Sequence, residues 1–557
     1  MKFPSSEPYH IEVVQQSNLL FGLEPFEIAF VKGDPDAAEL WDEDWQSDTI
    51  RWICQCSLLR KLVIDAGVIN FVLPTELAEM SAALPLTDVC LKGSALGSLS
   101  DASKFWPKVT RFYWDMSCQL ADLPHLTGQP NLQHLGLKLV QSNTSGLHLY
   151  NGTPTLPALQ TFELLGWPFT LGPDLSFIAQ GLPFQREGYR VSGWRGLVNY
   201  AQHRTLLPNL ARLTLSAFPI SDHEQFLWIK VFLSPSLHTI QVVPQLVDGV
   251  ATISTLVAGS LLGHIVKNCP KLRTLSLFPS NSPSFHSTLD GHGYSIADFC
   301  DNSFYDRLSA LNLSELSCTT AILSDNGIYV LGTLPLLERL TLYSSASAIA
   351  VAKPPCTPAL QHFGLYSTYW DEIRQIWALD LFSTLNSLTI SFVDTEDSDD
   401  EQVVDWGGAL MSLIACHSPA LTDLEIDFGT LELELDTMST LSPLVQLPLA
   451  TVSFKSLGAM ADEIVENIES IFPNATKLAF FELVFTLSEL AHFSKLQRLQ
   501  HLAIGLAGDT KDIVLSSTHT FSNSLHTLEI YYDMDIGPDM SIFAQYVPIH
   551  PCHNRYA

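Results

Sequence analysis

The sequence of 557 residues predicts an α/β solenoid, with a curved parallel sheet on its concave face and helices and loops on its convex face. Three observations predict it. An apolar phrase, LxxLxL, returns along most of the chain. A proline sits two residues before many of these phrases, and several of the segments between them carry the 3.6-residue apolar period of helices.

The phrase takes forms such as "QPNLQHLGLKLV" from Gln129, "LPNLARLTLSAF" from Leu207, "CPKLRTLSLFPS" from Cys269 and "SPALTDLEIDFG" from Ser418. With Val, Ile, Phe or Trp allowed for Leu, phrases start at Leu59, Leu86, Val109, Leu132, Leu159, Leu210, Leu237, Leu272, Leu308, Leu337, Leu360, Leu385, Leu421, Leu449, Leu499 and Leu525, and Ala475 opens a weaker one. One start about every 29 residues lies at the upper edge of the leucine-rich-repeat range. The fourth and sixth residues of a phrase alternate with polar ones, so a short strand points them inward and turns the third, fifth and seventh residues to solvent. A unit this small cannot bury its own apolar face. Stacking the units side by side buries it, which makes a parallel sheet of rungs the expected architecture.

Proline precedes the phrase by two residues at Pro130, Pro157, Pro208, Pro235, Pro270, Pro358 and Pro419. It lacks a backbone donor and disfavours helix in the residue before it, so it ends the preceding helix and commits the chain to an extended approach. Between phrases, "YWDEIRQIWALDLF" from Tyr369, "EQVVDWGGALMSLIAC" from Glu401 and "ADEIVENIESIF" from Ala461 read as amphipathic helices. The most membrane-like stretch, residues 250–266, gathers Ile253, Leu256, Val257, Leu261 and Ile265 on one helical face, which fits a packed helix rather than a span. These signals divide the chain into an N-terminal capping segment at 1–58, a solenoid of about 17 repeats at 59–530 and a C-terminal cap and tail at 531–557. Within the solenoid, 166–206 is an insertion or a degenerate repeat, and the phrases run on without a long Gly/Ser/Pro-rich gap, so one cooperative array is expected.

Phrases such as "NCPKLRTLSLFP", "FLSPSLHTI" and "LLPNLARLTLSAF" resemble the leucine-rich-repeat regions of fungal F-box proteins, over roughly residues 59–530. The resemblance implies a substrate receptor of a cullin ubiquitin ligase, in which a separate F-box docks a Skp-type adaptor. Only "LPTEL" at Leu73 copies the opening of an F-box. The stretch that follows lacks the basic residues of that module, and its Leu86, Val89 and Leu91 read better as a repeat strand. The chain therefore looks like receptor repeats whose adaptor-binding module, if present, lies upstream. The alternative is a non-catalytic scaffold that recruits no ligase.

Composition narrows the partners. The formal charge of -30, from 59 acidic against 29 basic residues, repels phosphate backbones and anionic lipid, so neither nucleic acid nor a membrane surface is expected as a partner. Ten cysteines without a CxxC pair argue against a disulfide scaffold or structural zinc. The N-terminus lacks the apolar run of a secretion signal, which points to the cytoplasm or nucleus, and the four NxS/T sequons at Asn143, Asn151, Asn312 and Asn474 then read as chance. Asn312 is expected within a strand.

No catalytic motif, cofactor or metal site is expected. GxSxG, P-loop, HExxH and GxGxxG phrases lack credible contexts. The tail offers only His550, Cys552 and His553, too few ligands for a stable site. "DTEDSDDE" at 394–401 has Asp399 where a calcium loop needs glycine and Asp405 where it needs glutamate. It reads as a solvated loop in which Ser398, followed by carboxylates, is a possible phosphorylation site. Binding is left to the concave face, whose outward positions carry eight Lys/Arg and eight Asp/Glu. The phrases at Leu337 and Leu360 are only 23 residues apart. They should be neighbouring rungs, with Tyr343 stacked on Tyr366, Arg339 beside His362 and Gly364 leaving a dip between them. All four side chains are expected to face a protein partner, since tyrosine and arginine dominate binding hot spots.

Overall fold

Many of the phrases open on the same backbone turn, in which the N–H of the first apolar residue donates to the carbonyl three residues back. In the computed structural model this bond joins Leu132 to Gln129 (3.3 Å), Leu210 to Leu207 (3.1 Å), Leu272 to Cys269 (3.1 Å) and Leu421 to Ser418 (3.1 Å). The next two N–H groups then converge on one carbonyl of the preceding phrase. Gln133 and His134 both donate to Thr110 (2.8 and 3.0 Å), and Gln361 and His362 both donate to Glu338 (2.8 and 3.0 Å). The same doubled bond recurs at rung after rung, so neighbouring strands are locked in register before their side chains meet.

The structure describes residues 11–12, 29–30, 60–65, 84–92, 108–118, 131–139, 158–165, 209–218, 232–244, 246–247, 250–251, 255–277, 302–344, 360–379, 381–392, 406–429, 433–435, 437–506 and 524–532, with 106, 129, 207, 230 and 349 as single positions. The chain divides into two compact units, one of Met1–Leu246 with Thr252–Leu277 and the other of Val247–Ala251 with Phe278–Ala557.

In the first unit, strands β1 (Lys61–Asp65), β2 (Asp88–Lys92), β3 (Arg111–Cys118), β4 (His134–Leu139), β5 (Thr161–Leu165), β6 (Arg212–Phe218), β7 (Thr239–Pro244) and β8 (Thr274–Ser276) pair in parallel in chain order. In the second, β9 (Glu315–Thr319), β10 (Arg339–Tyr343), β11 (His362–Thr368), β12 (Ser387–Phe392), β13 (Asp423–Asp427), β14 (Thr451–Lys455), β15 (Lys477–Phe485), β16 (His501–Leu506) and β17 (Thr527–Tyr532) do the same. Sixteen of these strands begin two residues after a phrase start, as the alternation predicts. The chain is an α/β leucine-rich-repeat solenoid.

The exception is β9. The sequence "LSALNLSELSC" holds the phrase once from Leu308 and once more from Leu313 with Cys318 in its last apolar place, and the second copy forms the strand. Leu308 instead closes helix α2 (Asn302–Leu308), and its carbonyl accepts from Leu311 N at 3.0 Å to make the turn. An amphipathic helix with Phe304, Tyr305 and Leu308 buried outcompetes the earlier strand register. Asn312 therefore lies exposed before the strand and not within it.

Helices fill the returns where apolar residues recur every three or four positions. They are α1 (Thr255–Asn268), α2, α3 (Asp325–Leu331), α4 (Trp370–Trp377), α5 (Trp406–His417) and α6 (Leu487–Phe493). Both α1 and α5 stop just short of Pro270 and Pro419, which sit in the turns that follow. The "ADEIVENIESIF" segment forms two short helices, Asp462–Glu466 and Ile468–Ile471, broken at Asn467. Among the described residues no helix is long and apolar enough to cross a membrane.

The fourth and sixth residues of the phrases build the core, with Leu213, Leu215, Leu340, Leu342, Leu388 and Ile390 all buried. At the C-terminal end aromatic rings take over. Phe392 stacks on Phe428 at 6.1 Å, Phe428 meets Phe454 at 6.1 Å, and Phe454 meets Phe480 at 6.0 Å. Tilted aromatic contacts of this kind add to the area they bury. Leu86 is buried just before β2, and Val89 and Leu91 are buried on it, so the stretch after the "LPTEL" phrase is a rung, as its alternation indicates.

Candidate partner-binding face

Every rung presents its third residue beside the third residue of its neighbours, because the parallel register repeats without a shift at that position. In the second unit this gives a row in which Glu315 pairs with Arg339, Arg339 with His362, and His362 with Ser387. The row continues from Asp423 to Thr451, Lys477 and His501. The corrected start of β9 adds Glu315 to this face.

Tyr343 and Tyr366 are register partners, with ring centroids 5.2 Å apart and planes 19° from parallel. Arg339 is the partner of His362. Burial lowers the pKa of His362, and the Arg339 guanidinium lowers it further, while Asp423, Glu338 and Glu315 act the other way. The imidazole is thus held toward its neutral form.

Two expectations for this pair of rungs fail. Tyr343 has 0% of its surface exposed, so it cannot touch a partner. It is the floor on which the half-exposed Tyr366 rests. The dip above Gly364 is also filled, since a Cβ there would stand 3.1 Å from the Tyr366 ring and 3.5 Å from the Thr341 side chain. The same device recurs at Gly136, where a Cβ would stand 2.5 Å from Tyr113 on the adjacent strand. In both places a tyrosine lies across a glycine and restores apolar cover to a bare pleat. Arg339 is exposed, and His362 and Tyr366 are partly so, which leaves these three as the accessible residues of the predicted set. Ser398 and the 394–401 stretch, the 166–206 segment, and the His550, Cys552 and His553 tail lie outside the described residues.

Further charged contacts cross the rungs. Lys455 Nζ lies 2.7 Å from Glu425 and 5.7 Å from the centre of the Phe481 ring. His501 Nε2 lies 3.7 Å from Glu529. Burial lowers the pKa of His501, Glu529 raises it and Lys477 lowers it. In the first unit Arg111 reaches Asp88 at 3.9 Å, and burial with Arg111 holds His134 below the ordinary imidazole range. A histidine beside a cation of the preceding rung thus occurs at Arg111/His134, Arg339/His362 and Lys477/His501. Single phrases hide this pattern, and it becomes legible once their third positions are aligned. No group of three or more His, Cys, Asp or Glu able to hold a metal occurs among the described residues.

The chain matches no protein-family model and no curated protein. Among solved structures it is similar to a TLR13–ssRNA13 complex, at 15% identity and a TM-score of 0.33 over 89% of this chain and 62% of that one. It thus spans less than two thirds of the TLR13 chain. It is also similar to an internalin of Listeria monocytogenes, at 15% identity and a TM-score of 0.26, covering 83% of this chain and 94% of that one. A third likeness is to a plant peptide hormone receptor, RGFR1 in complex with RGF2, at 12% identity and a TM-score of 0.23, covering 90% and 88% of the two chains.

Proposed function

We propose that this solenoid is a protein-binding receptor whose concave sheet is its docking face, and that it supplies the substrate-recognition arm of a cullin ubiquitin ligase through a Skp-type adaptor. The observation that carries the binding reading is the third-position row. It sets charged and polar side chains, exposed or half-exposed, at one rung spacing over an otherwise apolar core. The ligase reading rests on the resemblance of the phrases to F-box repeats. A scaffold without a ligase is the second reading, favoured by β2, which uses as a rung the residues that would continue an F-box after "LPTEL".

One experiment separates the two readings. Ser387→Trp with Thr451→Trp obstructs the row at two half-exposed positions. Purified from its native cell, the unmodified protein should bring down a Skp-type adaptor, a cullin and a substrate. The obstructed variant should keep the first two and lose the third. Clean absence of adaptor and cullin sinks the ligase reading, and full retention of the substrate places the docking face elsewhere.

A further inference from the structure

On β9, β10 and β16 the outward positions beyond the third are closed, and on β14 and β15 the fifth is closed while Lys455 and Phe481 at the seventh are half-buried. Ser317, Thr319, Thr341 and Tyr343 are buried on the first two of these strands, and Ser453, Ala479 and Ala503 on the other three. On β11 to β13, Tyr366, Thr389, Ser391, Glu425 and Asp427 are half-buried beyond the third position, with Glu425 paired to Lys455 at 2.7 Å and the Asp427 carboxylate accepting from Gly429 N and Ser456 Oγ. From β10 to β15 the third residues that carry a full charge are Arg339, Asp423 and Lys477, and each stands outside any ion pair among the described residues. Arg339 and Lys477 are exposed and Asp423 is half-buried, with one carboxylate oxygen accepting from Thr422 Oγ1 at 2.6 Å. The row from β10 to β15 therefore reads cation, anion, cation, with uncharged Ser387 and Thr451 on either side of the anion.

The spacing makes this order readable. Strands lie about 4.8 Å apart, so three steps separate Arg339 from Asp423 by about 14 Å and two steps separate Asp423 from Lys477 by about 10 Å. Both gaps exceed the Debye length of about 8 Å at physiological salt. Each charge is then felt by the group directly above it, and the net charge of a ligand matters less than the order of its charges. An extended chain advances about 3.3 Å per residue and turns only every second side chain to the same face, so about four residues cover the first gap and about four, the nearest even step that spans it, cover the second.

We propose that this row binds an extended segment of a partner protein that carries an acidic residue, a basic residue about four positions away and a second acidic residue about four positions beyond, all on one face, lying across the strands with its acids on Arg339 and Lys477 and its base on Asp423. The neighbouring imidazoles of His362 and His501 are held toward neutrality by burial and by these same cations. They can donate a hydrogen bond to a carboxylate without adding charge when it is absent. The proposal rests on the concave face being the docking face, and it names what that face selects.

The test uses synthetic fluorescein-labelled peptides with a Gly/Ser filler, one set carrying Glu-x3-Lys-x3-Glu, the other carrying the reversed charges Lys-x3-Glu-x3-Lys. Fluorescence anisotropy at 50 mM salt should show the first set binding about tenfold more tightly, with the preference shrinking at 300 mM as exposed ion pairs are screened. In the variant Arg339→Glu/Asp423→Lys/Lys477→Glu the preference should invert, since all three side chains reach solvent at least in part and only Asp423 gives up a hydrogen bond, the one from Thr422 Oγ1. If that variant fails to fold, Arg339→Gln/Lys477→Gln should abolish the preference while thermal unfolding stays in place. Equal binding of both sets, no binding of either, or a preference unchanged in a folded variant overturns the proposal. These outcomes leave the docking reading standing if Ser387→Trp/Thr451→Trp still loses the cellular substrate. If that variant retains it, the docking reading fails as well.

Discussion

At the scale of single residues, the face divides into side chains that meet solvent and side chains that hold those in place. Tyr343 and Tyr366 look equivalent in the sequence, since each is the seventh residue of its phrase and both are expected to point outward. The structure separates them, with Tyr343 fully covered and Tyr366 only partly. Burial also drives the Tyr343 phenol well above its ordinary pKa, with Tyr366 adding to the effect. Tyr343→Ala should therefore cost about 3 kcal/mol of stability, as expected for a buried aromatic truncated to a methyl, measured by urea denaturation. Tyr366→Ala should leave stability within about 1 kcal/mol and weaken substrate capture instead. Equal destabilisation by both changes would show that Tyr366 too is structural. The difference was not legible in the phrases because period-two alternation reports which face of a strand a residue takes, and not whether a neighbour then lies over it. The glycine that draws the Tyr366 ring down, Gly364, was visible but read as an empty space.

At the scale of the element, the rungs were legible because the signal is local and repeated. The alternation sets the strand, the proline or the turn sets its start, and sixteen starts follow from this alone. The one failure, at Leu308, arose where two overlapping phrases competed and a helix claimed the first. The repeat phrase is silent on such contests, and the signal that resolves this one lies upstream in "NSFYDRL", whose apolar spacing is helical. The returns were less legible. Helix α6 is held by a capping box, in which Thr486 Oγ1 accepts from Glu489 N at 3.3 Å while the Glu489 carboxylate accepts from Thr486 N at 2.5 Å. Its sequence, Thr-x-x-Glu before an apolar run, is a start signal separate from the repeat phrase. Thr486→Ala should cost about 1 kcal/mol, and Thr486→Ser should restore most of it, both read from urea midpoints. Equal loss with serine would mean that the methyl group and not the hydroxyl matters.

At the scale of the molecule, the two compact units meet in sequence at Leu277 and Phe278, where the chain enters "FPSNSPSFHSTLDGHG". The phrase steps mark it only weakly, because the 36 residues from Leu272 to Leu308 are matched by the 36 from Leu385 to Leu421, and only the phrase start at Leu313 lengthens the step to 41. The residue types do mark it, with serine, proline and glycine concentrated in that stretch. Coupling between neighbouring rungs leads us to expect a single denaturant transition for the whole array, and limited proteolysis that nicks the chain without releasing stable pieces. Two transitions, or two stable halves cut near residue 278, would show that each unit folds alone. A further consequence follows from the paired N–H groups that meet on a single carbonyl at each rung. They fix the sideways step of the face whatever the length of chain that returns behind it, and so the sheet behaves as a ruler with one mark per rung. Insertions in the returns lengthen the back and move no mark, which is how phrase steps of 23 and 36 residues coexist on one face. Gain or loss of a whole phrase, by contrast, shifts every mark beyond it by about 4.8 Å. The binding specificity of such a chain should therefore change in steps of one rung, and length differences confined to its returns should leave that specificity intact.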